Sequence, residues 1–198
     1  MSLSLPQPPA AALRAVLSAL DSPTAVRAVR TSAMRRRPGQ LAPSHPLPVH
    51  LLDPATPTEC PALTDARRTG WRFLIRDGDE VVAAADTRET PEGHAFAYFA
   101  EGPYPLSTLR ALQQARLHTA TTTTPYLPRL LSVPGHYMTA LWLHPLLDPT
   151  GGRDLLIPLA PAPLGVTAHI PHDAEELLSL LLSISSAGLG QDLLTAAG

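Results

Sequence analysis

Apolar and polar residues alternate with period two from Trp71 to Ala85, and this stretch, WRFLIRDGDEVVAAA, is the strongest structural signal in the chain. Trp71, Phe73 and Ile75 alternate with Arg72, Leu74 and Arg76, and Val81, Ala83 and Ala85 resume the alternation after Asp77-Gly78-Asp79. An Asp-Gly turn between two alternating runs predicts a β-hairpin. GHAFAYFAEG predicts a third strand, with Phe96 and Tyr98 on one face and Phe99 on the other. YPLSTLRALQQARLH then predicts a helix, with Leu106, Leu109, Leu112 and Leu117 among its apolar positions.

Three more strands are expected downstream, in YLPRLLSV, HYMTALWLH and RDLLIPLAP. In the second of these, Met138, Ala140 and Trp142 share one face and Leu141 and Leu143 the other, the pattern of a strand covered on both sides. PHDAEELLSLLLSIS predicts a closing helix. Asp173 suits the N-cap, Glu176 three residues later completes a capping-box spacing, and Leu177, Leu180, Leu181 and Ile184 form the buried face. Residues 188–198 are expected to be a frayed tail.

The first 64 residues have a different character. Leu13, Val16, Leu17 and Leu20 fall at i, i+3, i+4 and i+7, which predicts a short helix bounded by Pro8-Pro9 and by Asp21-Ser22-Pro23. Ser22 as cap and Pro23 at the first helical position predict a second helix with Val26, Val29 and Ala33 on its face. Residues 38–63 carry a proline every few positions, which removes backbone donors and predicts an irregular strap instead of a ladder strand. The expected organisation is therefore a basic helical and proline-rich arm over 1–64, an α+β core over 65–187 and a tail. Short hairpin links predict an antiparallel sheet of about five or six strands with helices packed on one face.

Charge sharpens this division. Residues 1–40 hold six arginines against the single acid Asp21, a net +5, while residues 41–198 hold nine arginines against sixteen acids, a net −7. A basic end on an acidic body points to an anionic partner. The candidate contacts are Arg27, Arg30, Arg35, Arg36 and Arg37. Such a cluster also binds phosphates, but it lacks the interleaved aromatics that stack on single strands, so nucleic acid ranks behind a protein partner or a second copy of the chain. The chain contains no lysine and no asparagine, a codon bias expected of a high-GC bacterial genome, so arginine in place of lysine needs no functional cause.

Candidate chemistry is sparse. His136 and His144 stand eight residues apart, roughly 26 Å along a straight strand, so one metal cannot join them and they are expected to flank a structural strand. His169 and His172 are the nearest approach to a metal-ligand pair, but Pro171 interrupts the helix such a pair needs and Asp173 is taken as a cap. No metal site or cofactor is therefore expected. The sequence contains no HExxH, GxSxG, GxxxxGK[ST] or GxGxxG motif. Cys60, the only cysteine, excludes an intramolecular disulfide and fits a reducing cytoplasm. No apolar run of membrane-spanning length occurs, and the N-terminus lacks the basic start of a secretory signal. The reading that results is a cytoplasmic, non-enzymatic interaction or assembly component that uses its basic arm. The alternative is a small enzyme or metal protein that gathers His94, His136, His169 and His172 through folding.

Overall fold

The computed structural model describes residues 3–27, 34, 41–53, 62–146 and 152–195, with side chains in the last helix described up to residue 184. Helices α1 (Ala10–Leu20) and α2 (Pro23–Arg27) lead into β1 (Leu41–Leu51). Three antiparallel strands follow, β2 (Arg67–Asp77), β3 (Glu80–Thr90) and β4 (Gly93–Ala100), and then α3 (Pro103–Thr119). The second half comprises β5 (Tyr126–Val133), β6 (Met138–Pro145), β7 (Leu155–Pro158), the two-residue β8 (His172–Asp173) and α4 (Ala174–Thr195). The α+β class is as expected, but the sheet is larger than five or six strands and is not wholly antiparallel. Eight strands run in the order β4-β3-β2-β1-β5-β6-β7-β8, with one parallel pair, β1 and β5.

The parallel pair follows from connectivity. β4 ends at the far edge of the sheet, and α3 carries the chain back across one face to place β5 beside β1. Ala111, Leu112 and Ala115 of α3 pack on Leu47, Leu74, Ala84, Leu130, Leu141 and Ile157, which define this face. The opposite face carries two separate helix layers. Ala12, Val16 and Leu20 of α1 cover Trp71, Phe73, Ile75, Ala83 and Ala85. Leu177, Leu178 and Leu181 of α4 cover Leu131, Met138, Ala140, Trp142 and Leu156. Helices therefore lie on both faces, not one. β6 is buried on both sides because it lies under α3 and α4 together.

The largest departure from expectation is β1. Residues 41–51 form a strand in the middle of the sheet despite Pro43, Pro46 and Pro48. β1 meets β5 only over Val49–Leu51, opposite Leu130–Ser132, so upstream of Val49 it pairs on one side alone, with β2. All three prolines lie in that one-sided part, where a missing N–H interrupts no second ladder. A bulge at His45-Pro46, with His45 at φ 46°, absorbs the remaining misfit.

Bulges also revise which side chains share a face. At Val82 an extra residue sends Val81 to the α3 face while Ala83 and Ala85 stay under α1. At Ala97 another brings Phe96 and Phe99 together under α1, 4.7 Å between ring centroids, and leaves Tyr98 opposite Asp86. The hairpin turn falls at Gly78-Asp79 as expected, with Gly78 in the left-handed region at φ 59°. Ser22 Oγ accepts the Ala25 N–H of α2 at 3.4 Å, and Val26 is buried. Val29 and Ala33 lie outside the described residues. Asp173 caps α4 by accepting the N–H groups of Glu175 and Glu176 at 3.0 and 3.3 Å. That helix continues to Thr195, through much of the segment expected to fray.

Candidate functional site

Two helix layers on one face leave a cleft between them, and it opens where β1 and β5 diverge. Below Leu130 the neighbour of β5 changes: Ser4 N–H donates to the Tyr126 carbonyl at 2.9 Å, and Leu3 bridges Tyr126 in parallel. The cleft of about 520 Å³ is lined by Pro6, Gln7, Pro48, His50, Arg68, Trp71, Glu89, Leu127 and Arg129. Its size lies within the range of small-ligand sites.

Arg129 is the principal charge in this cleft. It stands directly opposite Trp142 in the β5–β6 register, and its guanidinium carbon lies 4.7 Å from the indole centroid, a cation–π contact. Trp142 is itself fixed, because its Nε1–H donates to Asp154 Oδ1 at 2.6 Å. The same oxygen lies 2.8 Å from His144 Nδ1. Burial lowers the pKa of Arg129, and Asp154 opposes that shift. Arg129 makes no ion pair among the described residues, whereas Arg68 is engaged by Glu89 at 2.5 Å.

His50 lines the cleft from β1. Its ring meets Trp142 edge to face at 5.3 Å, and 8% of the residue is exposed. Burial, then Arg129 and Arg68, push its pKa down to about 4, so the ring is neutral at pH 7. His50 Nδ1 and Trp71 Nε1 are buried without hydrogen-bond partners, and both residues line the cleft. Each such orphan costs about 1–3 kcal/mol unless something outside the chain satisfies it. A fixed planar cation, two unsatisfied ring nitrogens and apolar walls form an arrangement able to hold a polar group attached to an apolar body.

The residues singled out from sequence lie elsewhere. Arg27 ends α2, and Arg30, Arg35, Arg36 and Arg37 lie outside the described residues. His94 is on β4, His136 in a 3-10 turn, His172 on β8 and His169 in the loop before it, so the fold does not gather the four. No group of three or more potential ligands among the described residues is placed to hold a metal. His169, with φ 63°, lies 2.7 Å from Ser107 Oγ, which also accepts the Ala160 N–H at 2.7 Å. A serine beside a histidine suggests a nucleophile and its base. Ser107 is 3% exposed, however, and burial followed by Arg110 lowers the pKa of His169, which makes it a poorer base. The Ser107–His169 hydrogen bond, with the Ala160 N–H donated to the same hydroxyl, clamps the loop after β7 onto α3.

His136 and His144 flank β6, as their spacing implied. His144 does more than mark a strand end, because it shares Asp154 with Trp142. The cleft residues carried one local signal. Arg129 in YLPRLLSV and His50 in LPVHLL are polar groups inside otherwise apolar runs. Among the described residues no helix is long and apolar enough to cross a membrane. Comparison of the chain with protein-family models, with curated proteins and with solved structures finds no match.

Proposed function

We propose that this chain is a non-enzymatic interaction component, which docks on a protein partner or on a second copy of itself. The observation that carries this reading is Arg129, held rigid in a cleft over the central strands and left without an ion pair among the described residues. A half-buried cation without a direct ion pair is less stable than a paired one, and a partner that supplies a carboxylate at contact distance recovers the difference. The charge split of the sequence supports the same reading, with Arg27, Arg30 and Arg35 to Arg37 as a second, peripheral set of contacts.

The test compares tag-free full-length protein from its own host with two charge variants, one with Arg30, Arg35, Arg36 and Arg37 changed to glutamine and one with Arg129→Gln. Deleting residues 1–40 would not serve, because Ala12, Val16, Leu20 and Met34 of that segment are buried in the core. Co-purifying proteins are identified by mass spectrometry, and self-association by sedimentation. An association present in the wild type and lost in either variant supports the proposal. An association that survives both, or none in the wild type, refutes it. Nucleic acid recovered with a steep salt dependence that disappears with the arm arginines would replace the protein partner in this account.

A further inference from the structure

We propose that the cleft at the β1–β5 divergence recognises a single carboxylate borne on an apolar body. The inference rests on the binding role argued above and names the group bound. Two arginines line the cleft, but Glu89 pairs with Arg68, which leaves Arg129, on which Asp154 acts without an ion pair, as the one lining cation with no direct partner among the described residues. The asymmetry favours a monoanion. A phosphate dianion would bring a second negative charge beside Glu89 without a second free cation to receive it.

Geometry selects the carboxylate. A guanidinium offers a planar fork of donors that matches a carboxylate in two parallel hydrogen bonds. This fork is held in place before any ligand arrives, stacked on an indole that is anchored in turn to Asp154. Trp71 and His50 also line the cleft, and their Nε1 and Nδ1 atoms are buried without a partner. Pro6, Pro48 and Leu127 supply the surface for an apolar body. Such a group occurs in a small organic acid, or as an acidic residue in an apolar segment of a partner.

The two tryptophans make the test direct. The chain contains only Trp71 and Trp142, so isotope-labelled full-length protein gives two indole N–H signals, assigned with Trp71→Phe. The probes are 3-phenylpropionate against 3-phenylpropionamide, and acetyl-Leu-Glu-Pro-amide against its glutamine counterpart, each at millimolar concentration. The expected result is a shift of the Trp71 indole signal with the acid and not with its neutral partner. Arg129→Gln should weaken it by about tenfold or more, and Arg129→Lys, which keeps the charge and loses the fork, by less.

A response to 3-phenylpropionate alone identifies a free organic acid as the source, and a response to the glutamate peptide identifies a partner segment. Equal shifts from acid and amide overturn the proposal. An unaltered response in Arg129→Gln, or no shift with any probe, also overturns it. Failure of the partner reading is separate: a charge-selective shift in a protein that recruits no partner keeps the carboxylate site and removes the docking role.

Discussion

Acidification should destabilise this protein through His50, and the size of the effect can be worked out. The folded-state pKa is about 4 and the ordinary value is 6.5. The shift is downward, so between those values the unfolded chain takes up a proton that the folded chain does not. Stability then falls as pH drops through 6.5, and above about pH 7.5 the group contributes no slope. Integrating the two titrations gives a loss of about 2 kcal/mol at pH 5 and roughly 3 kcal/mol near pH 4. His45, His136 and His169 are also shifted down and add the same sign, so the wild-type slope alone identifies no residue. The informative quantity is the difference between wild type and His50→Gln in urea unfolding at about pH 7.5 and about pH 5, with equal m-values confirming a like-for-like transition. The variant should lose about 2 kcal/mol less over that interval. In Arg129→Gln the acid sensitivity should shrink and persist, since burial is the first cause of the shift and Arg129 the second. Parallel pH dependences in wild type and His50→Gln would refute the account of a neutral, desolvated imidazole.

Substitutions at Gly70, Asp86 and Asp154, each set against a milder control, test the frame around the cleft. Gly70→Ala would place a Cβ 1.8 Å from the Thr87 carbonyl oxygen, a backbone atom on the neighbouring strand, so β2 and β3 must separate. A loss above about 3 kcal/mol or failure to fold is expected, while Gly78→Ala, with open space and only a strained φ, should cost about 1–2 kcal/mol in the same urea assay. Asp86 accepts two 2.7 Å hydrogen bonds from Arg72, with side chains 10% and 13% exposed. Asp86→Ala should therefore cost about 3–5 kcal/mol, and the double change to Arg72→Leu and Asp86→Leu less, as thermal unfolding would reveal. Asp154→Ala leaves the Trp142 indole without its acceptor and should cost about 1–3 kcal/mol, whereas Asp154→Asn keeps one carbonyl oxygen and should cost less.

The elements with strong local chemistry were legible in the sequence. The Gly78 turn, the alternation of β2, the two faces of β6 and the Asp173 cap all follow from short-range rules. What failed was the transfer of local pattern to sheet geometry. A proline excludes a strand only if both ladders need its N–H, and whether β1 has one neighbour or two along its first eight residues is decided by β5, some eighty residues downstream. Bulges act in the same way. The alternation placed Phe96 with Tyr98, but one extra residue at Ala97 exchanges partners, because the period of a strand is two and a slip of one residue inverts the face.

The cleft was hidden for a related reason. Its lining comes from the N-terminal segment and four strands, with residues as distant in sequence as Pro6 and Arg129, so a short window holds at most one pair of them: Pro6 and Gln7, Pro48 and His50, Arg68 and Trp71, or Leu127 and Arg129. Scanning for spaced histidines found groups that the fold does not gather, and scanning for clustered arginines found Arg27 at the end of α2 and four arginines outside the described residues. The better guide was an isolated mismatch, one arginine in an apolar strand and one histidine in another. A charged side chain in a strand covered on both faces must find a partner or a gap in the cover. Arg129 has both, an indole beneath it and a cleft above, because α1 and α4 cover the two ends of the sheet and leave its centre open. An arginine or histidine interrupting an apolar strand therefore marks where helix cover stops, and in this chain both marks fall on the same opening.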